Sequence, residues 1–227
     1  MSYKRAQNIV VLFDDFKNIA NNRYREKAIT IPNPVPSISL AQTDAHNFNN
    51  EIRFVTIAND TPPKGLDLLV AAFAKTARNY SNIVLRIYGK ESRRLSEQIQ
   101  KEGMQNQIFL MGYTLDIEQA LSWADVYVMP SRHEGFPNSL CEAMSAGKCC
   151  IATLCHSGIK EIIEDGKNGL IAKEVSVDAL AERISFIMEN ANKIKEIGNE
   201  AKVLSAKYDM DNIVLMWEEL INKVNKK

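Results

Sequence analysis

From Arg53 onward the chain alternates short apolar runs with stretches of helical periodicity, and no other feature constrains its fold as strongly. A short apolar run suits a strand buried on both faces. A helix placed between two such runs must cross back over the sheet, which makes the strands parallel. Arg53-Phe-Val-Thr-Ile-Ala58 reads as the first strand, and Leu66, Leu69, Val70, Phe73, Ala77 and Tyr80 then recur at helical spacing between Lys64 and Tyr80. Further strands are expected at 83–88, 107–111, 125–129, 149–153 and 169–172, with helices at 91–101, 116–123 and 139–146. Asp116 is placed to cap the second of these helices. Beyond Ser176, Val177, Leu180, Ala181, Ile184 and Ile187 trace one helical face, and another helix is expected over 192–207. The last element is an amphipathic helix whose stripe of Met210, Ile213, Val214, Trp217, Leu220, Ile221 and Val224 is wide enough to need a partner surface. The expected fold is α/β, a Rossmann-like doubly wound parallel sheet followed by that carboxy-terminal helix.

The first fifty residues break the pattern. Asn8-Ile-Val-Val-Leu-Phe13 reads as a buried strand, a short helix follows toward Asn22, and Ala28-Ile-Thr-Ile31 leads into Pro32-Asn-Pro-Val-Pro36. Only half a βαβ unit precedes this proline-rich break, and residues 37–50 are polar and turn-rich, as in a linker or loop. A lone strand has no sheet to join here. The chain is therefore expected to be a fragment that starts near the end of a preceding domain.

The 28 basic and 28 acidic residues cancel, which removes any global field that would attract nucleic acid. Cys141, Cys149, Cys150 and Cys155 form no CxxC pair and only three histidines are present, so a metal site is not expected. Cys149 and Cys150 lie in an apolar run and read as reduced, buried thiols of a cytosolic protein. No apolar run approaches the length of a membrane span, and no signal peptide is visible.

Between the expected strand at 125–129 and the following helix lies Ser131-Arg-His-Glu134-Gly135-Phe136-Pro137-Asn138-Ser139-Leu140-Cys-Glu142, which sets two glutamates around a strand-to-helix corner. Open α/β sheets bind ligands at such corners. Ser139-x-x-Glu142 also reads as a capping box, which needs no ligand. Capping leaves Glu134 unexplained.

Several motifs together resemble the carboxy-terminal, nucleotide-sugar-binding half of a retaining glycosyltransferase of the two-Rossmann-domain (GT-B) class, family-four group. They are Ile31-Pro-Asn-Pro-Val35, Lys64-Gly65, Pro130-Ser131 with Glu134-Gly-Phe-Pro and Glu142-Ala-Met, Ile151-Ala-Thr with Gly158 and Glu161-Ile-Ile, and Asp165-Gly166-Lys-Asn168-Gly169-Leu, in the family's order over about residues 8–225. The resemblance divides the chain into a remnant of the amino-terminal domain with the interdomain crossing (1–36), a linker (37–50), a donor-binding domain (51–207) and a helix that docks on the missing domain (208–227). It implies transfer of a sugar from a nucleoside diphosphate to a glycan or glycolipid acceptor, in surface polysaccharide or glycolipid synthesis. The acceptor would be held by the amino-terminal domain. The resemblance also implies that Glu134 and Lys64 are catalytic, Glu134 beside the donor sugar and Lys64 against the departing diphosphate. Glu142 would hold the ribose hydroxyls, the amides from Gly135 to Ser139 would face diphosphate and sugar, and Leu140 would line the same site. Gly89, Lys90, Gly112 and Tyr113 would border the nucleobase, each being equally readable as a plain turn residue. No cofactor is implied, and no Asp-x-Asp sequence occurs that would hold a metal.

One position departs from the family pattern. Where the family commonly carries Gly-Arg after the first strand, this chain has Ala58-Asn59, which can donate a hydrogen bond to phosphate but brings no charge. His133 and Arg132 read as solvated loop residues, Glu161 as a structural cap, and Trp123 and Trp217 as core or docking residues. The implied setting is cytoplasmic, with the full-length protein peripheral to the inner face of a membrane. The isolated fragment is expected to be weakly active and to self-associate through its last helix. Rival readings are an epimerase or phosphorylase on the same fold, and a non-catalytic nucleotide-sugar-binding module.

Overall fold

The protein is described by a computed structural model covering residues 3–19, 22–40 and 51–225. Strands β1 (Ile9–Val11) and β2 (Ala28–Thr30) pair in parallel as a two-stranded sheet, joined through a short helix α1 (Phe16–Ile19). The amino-terminal strand thus does find a partner within the chain. A two-stranded sheet is marginal by itself, and this one leans on the rest of the molecule through Phe13 and Ile31, both buried.

The main sheet contains β3 (Ile52–Ile57), β4 (Ile83–Tyr88), β5 (Ile108–Gly112), β6 (Val126–Met129), β7 (Cys149–Thr153) and β8 (Leu170–Ala172). All are parallel, in the spatial order β5-β4-β3-β6-β7-β8. Between them run α2 (Leu66–Ala77), α3 (Arg93–Lys101), α4 (Ile117–Trp123), α5 (Asn138–Ser145) and the single-turn α6 (Ile159–Ile162), followed by α7 (Val177–Glu189), α8 (Lys193–Ser205) and α9 (Met210–Asn225). Alternate residues of each strand face opposite cores. Phe54, Val126, Val128, Cys149 and Ile151 pack with α2, α3 and α7, while Val55, Tyr127, Met129, Cys150 and Ala152 pack with α4, α5 and α6. Burial on both faces explains why these strands read as unbroken apolar runs.

The element boundaries differ from expectation by one to three residues, with one informative case. Lys64 and Gly65 do not open α2: Pro62–Lys64 form a 3-10 turn and Gly65 adopts a left-handed conformation at φ 66°, so the helix starts at Leu66. Asp116 caps α4 as expected, its carboxylate accepting from the Gln119 amide at 2.8 Å.

Residues 31–38 are packed, not loose. Val35 and Ile38 are buried in the α4–α5 core, the Val35 amide donates to the Tyr208 carbonyl at 2.8 Å, and Ser145 Oγ bridges the Pro36 carbonyl and the Ile38 amide at 2.9 and 3.1 Å. The expected linker therefore gives up its first residues to the core, and its remainder, 41–50, lies outside the described residues. Cys141, Cys149 and Cys150 are buried free thiols, and burial pushes the first two up to about 12. No helix among the described residues is long and apolar enough to cross a membrane.

Candidate functional site

The strand order reverses between β3 and β6, where the chain leaves β3 toward one side and β6 toward the other. Loops at the carboxyl ends of such a strand pair diverge and leave a crevice. Lys64 and Glu134 meet there. Lys64 Nζ contacts both carboxylate oxygens of Glu134, at 2.8 and 2.9 Å, with the lysine side chain 36% exposed and the glutamate 10%. Ser131 Oγ donates to Glu134 Oε1 at 2.6 Å, and the Ser131 carbonyl accepts from Thr153 Oγ1 at 2.5 Å, so the carboxylate is oriented from β7 through the loop.

Backbone contact fixes the lysine turn against this loop. The Arg132 and His133 amides both donate to the Pro63 carbonyl, at 2.7 and 3.2 Å. Gly65 lies so close to the Pro130 carbonyl oxygen that a Cβ would sit 2.1 Å from it. Arg132, expected to be solvated, grips Asp67 with two 2.7 Å bonds and reaches the Pro62 carbonyl at 3.1 Å. His133 is exposed as expected.

Helix α5 leads from this loop toward Glu142, and the capping box is not formed. Pro137 occupies the cap position without a side-chain hydrogen bond, and Ser139 Oγ instead accepts from Tyr127 OH at 2.8 Å. Burial raises the Tyr127 phenol, which keeps it a donor. The amide set expected from Gly135 to Ser139 is also smaller. Pro137 has no N–H, and the Asn138 amide is taken by the Phe136 carbonyl at 3.0 Å. The Ser139 and Leu140 amides, in the first turn, have no acceptor among the described residues, as helix geometry requires. Phe136 is a core side chain, stacked on Phe13 with ring centroids 5.3 Å apart and edge-on to Tyr208. Leu140 is buried as well, while the Asn138 carboxamide bonds Asn33 of the crossing segment at 3.2 Å.

The Glu142 carboxylate, freed from capping, makes no hydrogen bond or ion pair among the described residues, and partial burial raises it above the usual carboxylate value. It lines a cavity of about 460 Å³ with Pro36, Ile38, Leu115, Asp116 and Ile117. A second cavity, about 230 Å³, is formed by Asn59, Lys64, Tyr88, Gly89, Tyr113 and Thr114. Asn59 Oδ1 accepts from the Lys90 amide at 2.8 Å, which holds the loop after β4 in place and leaves Nδ2 as its donor end. Gly89 passes so near Ala58 that a Cβ would lie 2.1 Å from its carbonyl oxygen. The Gly89 amide bonds the Gly112 carbonyl at 2.9 Å, and Tyr113 stands 64% exposed beside them. Lys90 is exposed at the rim. The structure thus brings Lys64, Asn59, Gly89 and Tyr113 to one cavity, with Glu134 bonded to Lys64 and Gly112 to Gly89, while Glu142 lines another.

One residue was not visible as part of this neighbourhood. Asp67 lies one turn into an ordinary amphipathic helix, and only the tertiary pairing with Arg132 marks it. His156 sits between Phe13 and Phe16, its ring centroid 5.2 and 5.3 Å from theirs, with both ring nitrogens buried and lacking a partner among the described residues. Its desolvation lowers the imidazole pKa despite the nearby carboxylates of Glu134, Glu161 and Asp15. Glu161 accepts from the Asp14 and Asp15 amides at 3.2 and 3.3 Å, a structural role as expected. A larger cavity of about 540 Å³ lies elsewhere, at the amino-terminal end of β3 and β6, where Arg86 stacks on Trp123 at 3.9 Å. It shares only Tyr88 with the cavity beside Lys64.

A parallel Rossmann-like sheet with a lysine, a helix amino terminus and two carboxylates at its switch point defines one half of a GT-B glycosyltransferase. The comparison with known proteins agrees: residues 41–204 match the family model described as glycosyl transferases group 1, and the chain belongs to that family. It is 32% identical over 166 residues to an exopolysaccharide phosphotransferase of Streptomyces coelicolor, covering 72% of this chain and 18% of the relative. It is 27% identical over 179 residues to the poly(ribitol-phosphate) alpha-N-acetylglucosaminyltransferase of Staphylococcus aureus, covering 78% and 36%. Among solved structures, S. aureus TarM in complex with fondaparinux, alpha-GlcNAc-glycerol and UDP superimposes with a TM-score of 0.86 at 24% identity, covering 95% of this chain and 44% of that one. Anabaena HepE with UDP and glucose gives 0.82 at 19%, covering 98% and 64%. The chain therefore spans less than half the length of both curated relatives.

Proposed function

We propose that these residues form the donor half of an enzyme that transfers a sugar, with retention, from a nucleoside diphosphate to a glycan or glycolipid acceptor. The observation that carries this reading is the placement of Lys64, the open amino terminus of α5 and the unpartnered carboxylate of Glu142 on the segments that follow β3 and β6. Each suits one part of a nucleotide sugar. Glu142 accepts from the two ribose hydroxyls, and the Ser139 and Leu140 amides meet the diphosphate with the helix dipole behind them. Lys64 neutralises the charge that develops on the diphosphate as the bond to the anomeric carbon breaks. Glu134 orients the sugar hydroxyls. The acceptor hydroxyl attacks from the face the diphosphate leaves, and its proton passes to a departing phosphate oxygen. With the leaving-group charge met by a lysine and a helix terminus, this scheme uses no metal.

The exposed surface near the crossing segment supports a second domain. Ile29 and Ile31 line a groove with Met216 and Leu220 of α9, whose Val214, Leu215, Trp217 and Ile221 are exposed. An amino-terminal Rossmann domain seated on β1, β2 and α9 would cover these residues and supply the acceptor site. Cell-surface polymers are the fitting product class, given the relatives named above, and a cytoplasmic enzyme at the inner membrane face fits a nucleotide-sugar donor. Calorimetric titration with UDP, GDP and ADP sugars tests the reading. One of them binds, and Glu142→Gln weakens it about tenfold, the loss of one charge-assisted hydrogen-bond pair. Unchanged affinity in that variant would refute the site.

A further inference from the structure

Arg132 and Asp67 lie beside the crevice and are bonded to each other across it. Both oxygens of Asp67 are engaged by the Arg132 guanidinium at 2.7 Å, and the same guanidinium reaches the Pro62 carbonyl. An ordinary surface ion pair has little consequence. This one differs in where its ends are anchored. Asp67 stands in the first turn of α2, three residues after Lys64, and Arg132 stands two residues before Glu134. The two side chains are each about 30% exposed, and the planar fork fixes direction as well as distance. The hydrogen bonds from Arg132, and then its charge, also hold the Asp67 carboxyl below its usual value, so the pair stays ionised.

Around this pair, the bonds from the Arg132 and His133 amides to Pro63 complete a five-bond strap between the 62–67 and 131–134 segments. The loop that ends in Glu134-Gly135 is thereby held against the turn that ends in Lys64-Gly65. Lys64 itself contributes only its flexible, partly exposed ammonium.

We propose that Arg132 and Asp67 are positioning residues: they set the separation of Lys64 from Glu134, and hence the geometry offered to the diphosphate, without touching the donor. This rests on the donor-site reading above. A lysine at 132 would keep the charge and lose the fork.

The test compares Arg132→Lys, Asp67→Asn and the double variant in calorimetric binding of UDP, GDP and ADP and of the corresponding monophosphates, with thermal melting as the check of folding. The expected result is a loss of about fivefold in diphosphate affinity in each single variant, as one charge-assisted hydrogen bond is misaligned. The double variant should lose no more than either single, because both changes open the same clamp, and monophosphate affinity should stay within about twofold. Equal losses for diphosphate and monophosphate would mean general loosening and overturn the proposal, as would additive losses or an unchanged diphosphate-to-monophosphate ratio. If the unaltered chain binds none of the six nucleotides, the donor-site reading fails and takes this proposal with it.

Discussion

Replacing Glu134 by glutamine should tighten the binding of a nucleoside diphosphate, although Glu134 belongs to the reacting centre. Lys64 is committed to Glu134, with Nζ at 2.8 and 2.9 Å from its two oxygens. A diphosphate must draw the ammonium away and then lie beside a carboxylate of its own sign. Glutamine keeps the shape and the acceptor for Ser131 Oγ but removes both costs. An exposed pair is worth up to about 1 kcal/mol and a hydrogen bond between charged groups about 1.5–3 kcal/mol. With Lys64 about a third exposed and Glu134 nearly buried, about 1–2 kcal/mol is the fitting range. That corresponds to roughly fivefold to thirtyfold in affinity. Isothermal titration of the diphosphate against the unaltered chain and Glu134→Gln reads it directly. The gain should be smaller for the nucleotide sugar, which loses its contact with Glu134, and smaller when Lys64→Met is added to both chains, where only the like-charge cost remains to be relieved. A Glu134→Gln chain that binds diphosphate no better, while Glu142→Gln binds worse, would refute the idea that the ion pair opposes the donor.

Other outcomes follow from particular side chains. Donor affinity should fall as pH drops from neutrality toward the raised value of Glu142, because the ribose hydroxyls need the ionised carboxylate; in Glu142→Gln the pH profile of binding should be flat over that interval. His156 has a folded pKa below its unfolded value of about 6.5, so the unfolded chain binds more protons and stability is lost as pH falls through that value. In His156→Phe, whose ring suits the Phe13–Phe16 contact, chemical denaturation at a series of pH values should show that slope diminished. Gly65→Ala combines a left-handed backbone with a Cβ 2.1 Å from the Pro130 oxygen, and should lower stability by at least about 2 kcal/mol, read as a drop in Tm of at least about 4 °C. The exposed stripe of α9 should drive self-association of this chain, and Trp217→Glu should shift light-scattering mass toward monomer; a monomeric unaltered chain at high concentration would count against it.

The crevice itself was readable in outline. Glu134, Lys64 and Glu142 stand out because a strand-to-helix corner concentrates polar residues between two apolar elements, and the fold places the corners of β3 and β6 side by side. The details were decided by partners far away in sequence. Ser139-x-x-Glu142 has capping-box spacing, yet Tyr127, twelve residues earlier, takes the serine hydroxyl from below, and Glu142 is left open. Phe136 lies in the motif but turns into an aromatic cluster with Phe13 and Tyr208, residues more than seventy positions from it. Arg132 looked like a solvated charge because nothing local pairs with it.

What the sequence alone determined is the periodicity. Strands buried on both faces and helices with one apolar stripe leave a doubly wound parallel sheet as the arrangement that hides both, and the ends of its strands are where function collects. What only the tertiary structure decided is which polar atoms remain unsatisfied. Hydrogen-bond partners such as Arg132 and Asp67, 65 residues apart, are selected by distance in space and not by spacing in the chain. The availability of Glu142, the commitment of Lys64 to Glu134 and the isolation of His156 are therefore properties of packing, which no local pattern encodes.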